Sequence, residues 1–430
     1  MNDSLQATLK YLYDLQFFGV KLGLNHTSVL LNHLGNPHLS FPVIHVAGTN
    51  GKGSTCAMLD SIFRAAGYKT GLYTSPHLFH FSERIRINGV AIPEAEIVRL
   101  TNVMKNKIDE LKCTFFEATT AMAFDYFKDN RIEIGIIETG LGGRLDSTNT
   151  VDPLISVITN IGLEHTEYLG KTIESIAREK AGIIKKNKPC LIGYVNDQAR
   201  RVFQETAVSL QSADYFLEDI ANISNSLFSI DHSQMDLKVR IGNELNSFDA
   251  LKVGLAGKHQ LNNAALAVSS LLIQKKFQVS ENAIRQGLEN VTWNARLEII
   301  QKEPYVVADA AHNAAGMKVL SEAITSIYKP RFNKLYLIIG MLADKDYEEA
   351  VASIAADFTE IYTITPKSER ALDAEKLAEC LHNIHSKVKT AESLELAIRE
   401  IKSKMTSRDM LLVTGSHFVL SELNSIRQVS

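Results

Sequence analysis

The segment Gly48-Thr49-Asn50-Gly51-Lys52-Gly53-Ser54-Thr55 follows an apolar run at 42–47 and leads into a helical pattern. Glycines let backbone N–H groups approach phosphate oxygens, and a helix start adds its dipole. Lys52 is placed to give a point charge to the β/γ phosphates, and Ser54 or Thr55 to offer a hydroxyl to a phosphate oxygen or Mg²⁺. The spacing is not the general G-x-x-x-x-G-K-[ST]: two residues separate Gly48 from Gly51, and Gly53 intervenes between Lys52 and Ser54. A tight turn with a solvated lysine is the plainer alternative. Further on, the apolar run 134–138 ends in Glu138, before a glycine-rich turn that closes on Asp146. A carboxylate in that position can hold Mg²⁺ near a nucleotide. The run 154–160 leads to Glu164 and His165, an unusual ligand for Mg²⁺. Taken singly, Glu138 and His165 read equally well as polar groups satisfied in loops. Lys180, from its spacing alone, reads as an ordinary solvated helix lysine.

These residues need elements to hold them. Strands are expected at 42–47, 133–138, 154–160, 189–194, 305–310, 335–340, 360–365 and 410–414, with helices at 54–66, 117–128, 172–185, 262–275 and 316–327 between them. Such interleaving argues for mainly parallel α/β sheets. The polar interval 211–248 reads as short antiparallel strands on the flank of a first domain, and a boundary is expected near 292–297. Polar residues collect just after strand ends: Asn50-Gly51-Lys52, Ser75, Glu138, His165, Asp309/His312, Asp344-Lys345-Asp346 and Ser416-His417. In open α/β sheets ligands bind at that edge, so a site shared by two domains is the economical expectation.

Composition limits the alternatives. The chain has 430 residues, 46 Lys+Arg against 49 Asp+Glu, and a net charge of −3, which gives no general field for nucleic acid or an acidic membrane. Hydrophobic residues make up 45% and charged residues 22%, the balance of a globular protein. Four scattered cysteines without a CxxC or Cys/His cluster exclude a disulfide framework or thiolate zinc site. Residues 1–19 carry helical spacing rather than a signal peptide, and no run has the ~20 apolar residues of a membrane span. A cytoplasmic protein, monomeric and without nucleic-acid or membrane partners, is expected.

The motifs, taken in order, resemble the Mur ligase superfamily, specifically its folylpolyglutamate synthase/dihydrofolate synthase branch. The resembling blocks are VAGTNGKGST (46–55), TSPHL (74–78) with ERIRING (83–89), FFEATTAMAF (115–124), ETGLGGRLDSTN (138–149), ITNIGLEHTEYLG (158–170) and IAREKAGIIK (176–185). DAAHNAAG (309–316), GMLADKD (340–346) and VTGSHF (413–418) follow in the second half. The resemblance implies a P-loop-containing, mainly parallel domain over 1–293 with ATP and pterin sites, and a smaller Rossmann-like glutamate-ligase domain over 294–430. It implies an ATP-dependent amide ligase that adds L-glutamate to dihydropteroate or a reduced folate through an acyl phosphate, with ATP and Mg²⁺ as cofactors.

The resemblance also distributes roles. Thr49, Asn50, Gly51, Lys52, Gly53 and Ser54 would wrap the triphosphate. Ser75 and Glu138 would bind a first Mg²⁺, and His165 and a carbamylated Lys180 a second. Lys52, His165 and Lys180 form the catalytic set. Asn263, Arg296, Asp309 and His312 match nucleotide-binding positions. Lys21, Leu22, Gly23, Leu24, Thr114, Phe116 and Asp146 match the pterin surface. Two blocks depart from the family: its Pro-Gly-Arg is Asn294-Ala295-Arg296, and its Asp-Gly-Ala-His-Asn-Pro is Asp309-Ala310-Ala311-His312-Asn313-Ala314. Pro and Gly have special backbone ranges, so local geometry there is expected to differ. The competing expectations are a peptidoglycan-branch Mur ligase, disfavoured because the phosphate loop begins at residue 48, and a P-loop ATPase or kinase of another class.

Overall fold

The computed structural model describes residues 3–19, 23–343 and 347–423; Lys21, Leu22 and the Asp344-Lys345-Asp346 cluster lie outside the described residues. The chain divides into two compact units, 1–225 with 235–251 and 262–291, and 226–234 with 252–261 and 292–430.

In the first unit eight strands form one sheet: β1 (Val43–Ala47), β2 (Thr70–Tyr73), β3 (Ile85–Ile87), β4 (Val90–Ala91), β5 (Ile134–Glu138), β6 (Ile155–Ile158), β7 (Cys190–Ile192) and β8 (Asp214–Phe216), in the order β4-β3-β2-β5-β1-β6-β7-β8. From β2 to β8 along that order all pairs are parallel, while β3 and β4 turn back antiparallel at one edge. Every residue of β1, β5 and β6 is buried. Helices cover both faces, which is why these strands read as unbroken apolar runs instead of alternating ones.

The helices of this unit include α1 (Asp3–Asp14), α2 (Asn25–His33), α3 (Lys52–Ala65), α4 (Glu94–Leu111), α5 (Phe115–Asp129), α6 (Thr166–Leu169), α7 (Ile173–Ala181), α8 (Asp197–Ser209) and α9 (Leu217–Ile220). Leu12, Leu30, Met104 and Phe124, from α1, α2, α4 and α5, share a core with Tyr73 and Ile137; Ala177 and Phe203, from α7 and α8, share another with Ile158 and Ile192. Burying each large apolar side chain contributes about 1.5–3 kcal/mol. β5 and β6 flank β1 and all three run the same way, so the loops that follow them emerge side by side at the carboxyl edge.

The interval 211–248 departs from expectation. β8 joins the parallel sheet beside β7. The remainder forms a separate sheet of β9 (Ala221–Phe228), β10 (Ser233–Ile241) and β11 (Glu244–Val253), strands of 8, 9 and 10 residues and not short ones. Two helices follow, α10 (Lys258–Ile273), which starts a turn before Asn262, and α11 (Glu281–Glu289).

In the second unit β12 (Glu298–Lys302), β13 (Tyr305–Ala308), β14 (Leu335–Ile339), β15 (Glu360–Thr363), β16 (Val388–Thr390) and β17 (Met410–Thr414) form a six-stranded sheet, order β12-β13-β17-β14-β15-β16, parallel except for β12. Its core holds Met317, Leu337, Leu377 and Leu412. No helix among the described residues is long and apolar enough to cross a membrane.

Candidate active site

The loop between β1 and α3 is braced from the loop after β6. Thr49 N–H donates to Asn160 O (3.1 Å), Asn50 N–H to Asn160 Oδ1 (2.9 Å), and Thr159 Oγ1 to Asn50 O (2.6 Å). Gly48 must be glycine: its φ is +150°, and a Cβ there would stand 1.9 Å from Thr159 Oγ1. Asn263 of α10 lies against Gly51, whose added Cβ would come 2.5 Å from Asn263 Oδ1. Thr159, Asn160 and Gly162, which accepts from and donates to Thr49 Oγ1 at 3.2 and 3.0 Å, were not foreseen as part of the loop. The ITN block at the end of β6 carried the signal.

Lys52 begins α3, and its Nζ donates to Gly48 O (3.0 Å) and Thr49 O (3.1 Å). Within the same first turn, Ser54 Oγ and Thr55 Oγ1 are buried with no hydrogen-bond partner. A buried polar group without a partner costs about 1–3 kcal/mol. Two such hydroxyls at the start of a helix that follows a phosphate-type loop fit a ligand oxygen or a hard cation.

Lys180 is not the solvated lysine its spacing suggests. It is 4 % exposed, in the last turn of α7, and its Nζ donates to the same Gly48 carbonyl at 2.8 Å. Burial, with the charge of Lys52 as the second cause, lowers its pKa to about 7. α7 is fixed by a capping box in which Thr172 and Ser175 exchange side-chain and backbone hydrogen bonds.

Glu138 ends β5, buried, and accepts the N–H of Ser75 at 3.1 Å, so two of the expected metal ligands meet. His165 differs: it is a left-handed residue (φ +51°) capping α6, its side chain is 45 % exposed, and its Nε2 lies 4.0 Å from Glu164 Oε1. Among the described residues no three His, Cys, Asp or Glu side chains form a ready metal cluster. The donors present, one buried carboxylate with hydroxyls beside a phosphate-type loop, fit a hard ion that keeps phosphate and water ligands.

The expected pterin residues gather on α5 and the loop after β5. Thr114 caps α5: it accepts the N–H of Glu117 at 3.3 Å while Glu117 Oε2 accepts the N–H of Thr114 at 2.6 Å. Phe116 lies over Gly140, where a Cβ would come 2.4 Å from its Cζ. Asp146 is buried and clamps that glycine loop. Oδ2 accepts from the N–H of Gly140 (2.9 Å) and Leu141 (2.8 Å); Oδ1 accepts from Thr148 N–H (3.0 Å) and from the Thr148 hydroxyl. His45 Nε2 lies 2.8 Å from the same hydroxyl and must donate to it; burial holds that imidazole neutral, with a pKa lowered to about 3. Desolvation raises the Asp146 pKa, and these hydrogen bonds oppose the rise. Leu24 and Gly23 lie at the start of α2, Leu24 as its N-cap.

In the second unit Asp309 follows directly on β13, is buried, and accepts the N–H of Leu297 and of Ala311, both at 2.9 Å. Burial raises its pKa, and Arg296 is the first opposing influence. Arg296 Nη1 donates to Ala295 O (2.8 Å), and His312 Nδ1 lies 2.9 Å from Ala310 O. Ala295 is left-handed (φ +53°), the conformation glycine adopts freely at the family's Pro-Gly-Arg, whereas Ala310 has no positive φ.

Residues 46–271 match the model of the Mur ligase middle domain, and residues 295–417 that of the Mur ligase glutamate ligase domain. The chain is 36% identical over 421 residues to the dihydrofolate synthase/folylpolyglutamate synthase of Bacillus subtilis, covering 94% of this chain and 95% of that protein. Its fold is similar to the Escherichia coli FolC structure in complex with DHPP and ADP, with a TM-score of 0.89 and 32% identity over 99% of this chain and 98% of that one. It is also similar to a bifunctional folylpolyglutamate synthase/dihydrofolate synthase with Mn, AMPPNP and L-glutamate bound, with a TM-score of 0.86 and 31% identity over 99% and 98%.

Proposed function

The chain belongs to the Mur ligase family, in its dihydrofolate synthase/folylpolyglutamate synthase branch, as an ATP-dependent ligase that adds L-glutamate to folates, and we propose how its residues divide that work. The acceptor carboxylate attacks the γ-phosphorus of ATP and ADP leaves. The acyl phosphate is then attacked at carbon by the amino group of glutamate, which expels phosphate and forms the amide. A carboxylate is a poor electrophile, and phosphorylation supplies its leaving group.

In this reading the backbone of Thr49–Gly53 wraps the triphosphate, and Lys52 swings from its two loop carbonyls onto the phosphates, where it stabilises charge in the transition state. Ser75 and Glu138 hold a first divalent ion with Ser54 nearby; His165 and Lys180 hold a second. We assign Mg²⁺, because the buried donors are oxygens. When bound, the ion neutralises phosphate charge during transfer. The partly neutral amine of Lys180 adds CO₂ and loses a proton, which converts a cation into a carboxylate-like ligand. Asn263, Arg296, Asp309 and His312 bind the nucleotide. Gly23, Leu24, Thr114, Phe116 and Asp146, with Lys21 and Leu22, receive the pterin. The ATP and pterin work is assigned to 1–293 and the glutamate-ligase work to 294–430, in a cytoplasmic monomer.

The observation that carries this reading is the buried Lys180 amine on the Gly48 carbonyl, beside Lys52. A P-loop ATPase or kinase needs no second lysine there. The test supplies purified protein with ATP, Mg²⁺ and L-glutamate and offers dihydropteroate and tetrahydrofolate separately. Glutamylated product with at least one of them is expected; ADP formation without glutamylated product from either rejects the ligase reading.

A further inference from the structure

Arg84 has no task in the reaction as described. It closes the 3₁₀ turn Phe81–Arg84 ahead of β3 and is 8 % exposed. Its Nε donates to His77 Nδ1 at 2.6 Å, and its guanidinium carbon lies 5.0 Å from the centroid of the Phe115 ring. Both partners are uncharged. A ring nitrogen that accepts from a guanidinium carries no proton, and Phe115 offers only its π face. Among the described residues no carboxylate comes within ion-pair distance of Arg84, and its Nη1–Nη2 edge makes no hydrogen bond.

The carboxylates whose charge reaches it are those of Glu138 and Glu83. Glu83 is committed to the N–H groups of Leu78 (3.0 Å), Phe79 (2.9 Å) and His80 (2.8 Å), and Glu138 accepts from Ser75. Arginine is almost never buried this deeply unpaired, because an uncompensated buried charge is strongly unfavourable. Something outside the described chain must complete it.

The surroundings indicate what. Phe115 stands at the start of α5 between Thr114 and Phe116, two of the residues proposed above to receive the pterin. Arg84 O accepts the N–H of Thr74 at 3.0 Å, which places the residue beside Ser75 and the metal side. The phosphates belong to the other loop, 48–53. The substrate group that must run from a pterin bound beside Phe116 toward the metal side is the acid function that the pterin carries. We propose that Arg84 is a substrate-binding residue whose counter-charge is the acceptor carboxylate, the one that is phosphorylated; this rests on the ligase function proposed above. The free edge of the guanidinium suits both oxygens of a carboxylate at once. Held there, the carboxylate is aimed for attack on phosphorus.

The test uses the full chain with ADP and compares binding of dihydropteroate with its carboxamide analogue, which keeps the ring and lacks the charge. The wild-type protein is expected to prefer the carboxylate by roughly 10- to 100-fold, the range for a charged hydrogen-bonded contact. Arg84→Gln should abolish that preference and leave carboxamide affinity, ADP affinity and the KM for L-glutamate unchanged. Its unliganded melting temperature should not fall, since an unpaired buried charge has been removed. Arg84→Lys, which keeps the charge without the planar edge, should retain part of the preference. Equal loss of affinity for both ligands, with a lower melting temperature, would make Arg84 a structural residue and overturn the proposal. So would an intact preference in Arg84→Gln with a raised KM for glutamate, which assigns the other substrate's carboxylate. If the wild-type protein binds neither compound, the ligase reading itself fails, and this inference with it.

Discussion

The ammonium groups of Lys52 and Lys180 donate to one carbonyl oxygen, that of Gly48, at 3.0 and 2.8 Å. Lys52 is half-buried and Lys180 buried, so the conflict between the charges falls on Lys180. Its pKa drops from 10.5 to about 7, first by burial and then by Lys52. The sign of the resulting pH dependence follows from proton counting. Between about pH 7 and 10.5 the unfolded chain holds more protons at this lysine than the folded one, so folded stability rises with pH across that window. Below it the full cost of a buried ammonium is present; above it the cost has gone. Lys180→Met removes the charge at every pH. In CO₂-depleted buffer without nucleotide, its stability advantage over the wild-type protein should be widest near about pH 6 and shrink toward about pH 9. Denaturant melts of both proteins at a series of pH values measure this. A gap that stays constant across the series would mean that the amine is not the depressed base described here.

At the scale of elements, the turn at 294–297 and the strand end at 309–311 form a matched experiment. Ala295 and Leu297 both have positive φ, +53° and +48°, and Asp309 ties the turn through the Leu297 N–H. Ala310 is buried like Ala295 but has no positive φ. The family's glycines at both positions are alanines here, yet only one of the two backbones asks for glycine. Ala295→Gly and Ala310→Gly delete the same buried methyl, worth about 0.8 kcal/mol. Only the first relieves left-handed strain, of roughly 1–2 kcal/mol. Ala310→Gly should therefore be the more destabilising by about that amount, as read from denaturant midpoints; equal effects would remove the strain from Ala295. The sequence announced the two replacements but not which would matter, because φ is a property of the folded turn. The same limit applies elsewhere. β1, β5 and β6 were readable as apolar runs because helices bury both their faces. β2 was not, with four residues and a glycine among them, although it leads to Ser75. Lys180 was readable in principle, since it shares the buried stripe of Ile176, Ala177 and Ala181 on α7. Arg84 was not, because its burial depends on Phe115 and His77 arriving from other segments.

For the whole molecule, the substrates are three anions and the chain carries a net charge of −3. No general field draws them in, so each needs its own local cation. The proposed cations are Lys52 on the phosphate loop and Arg296 next to Asp309 for the nucleotide, and Arg84 beside Phe115 for the acceptor. That distribution has a kinetic consequence. If the acceptor carboxylate must be present before phosphorus is attacked, and the amine before the acyl group is released, steady ADP release should require all three substrates together. ATP with Mg²⁺ alone should give almost none. Adding the acceptor without glutamate should allow at most about one ADP per protein, the signature of an acyl phosphate trapped in the site. Glutamate should then open continuous turnover, and chelation of the metal should stop it. Lys52→Ala should lower the rate in the complete mixture by roughly 10²–10³. A coupled assay for ADP, run on each subset of substrates, reads every one of these states. Sustained ADP release from ATP and Mg²⁺ alone would mark an ATPase, since no role would then remain for the second lysine, the buried arginine or the glutamate-ligase unit in gating hydrolysis.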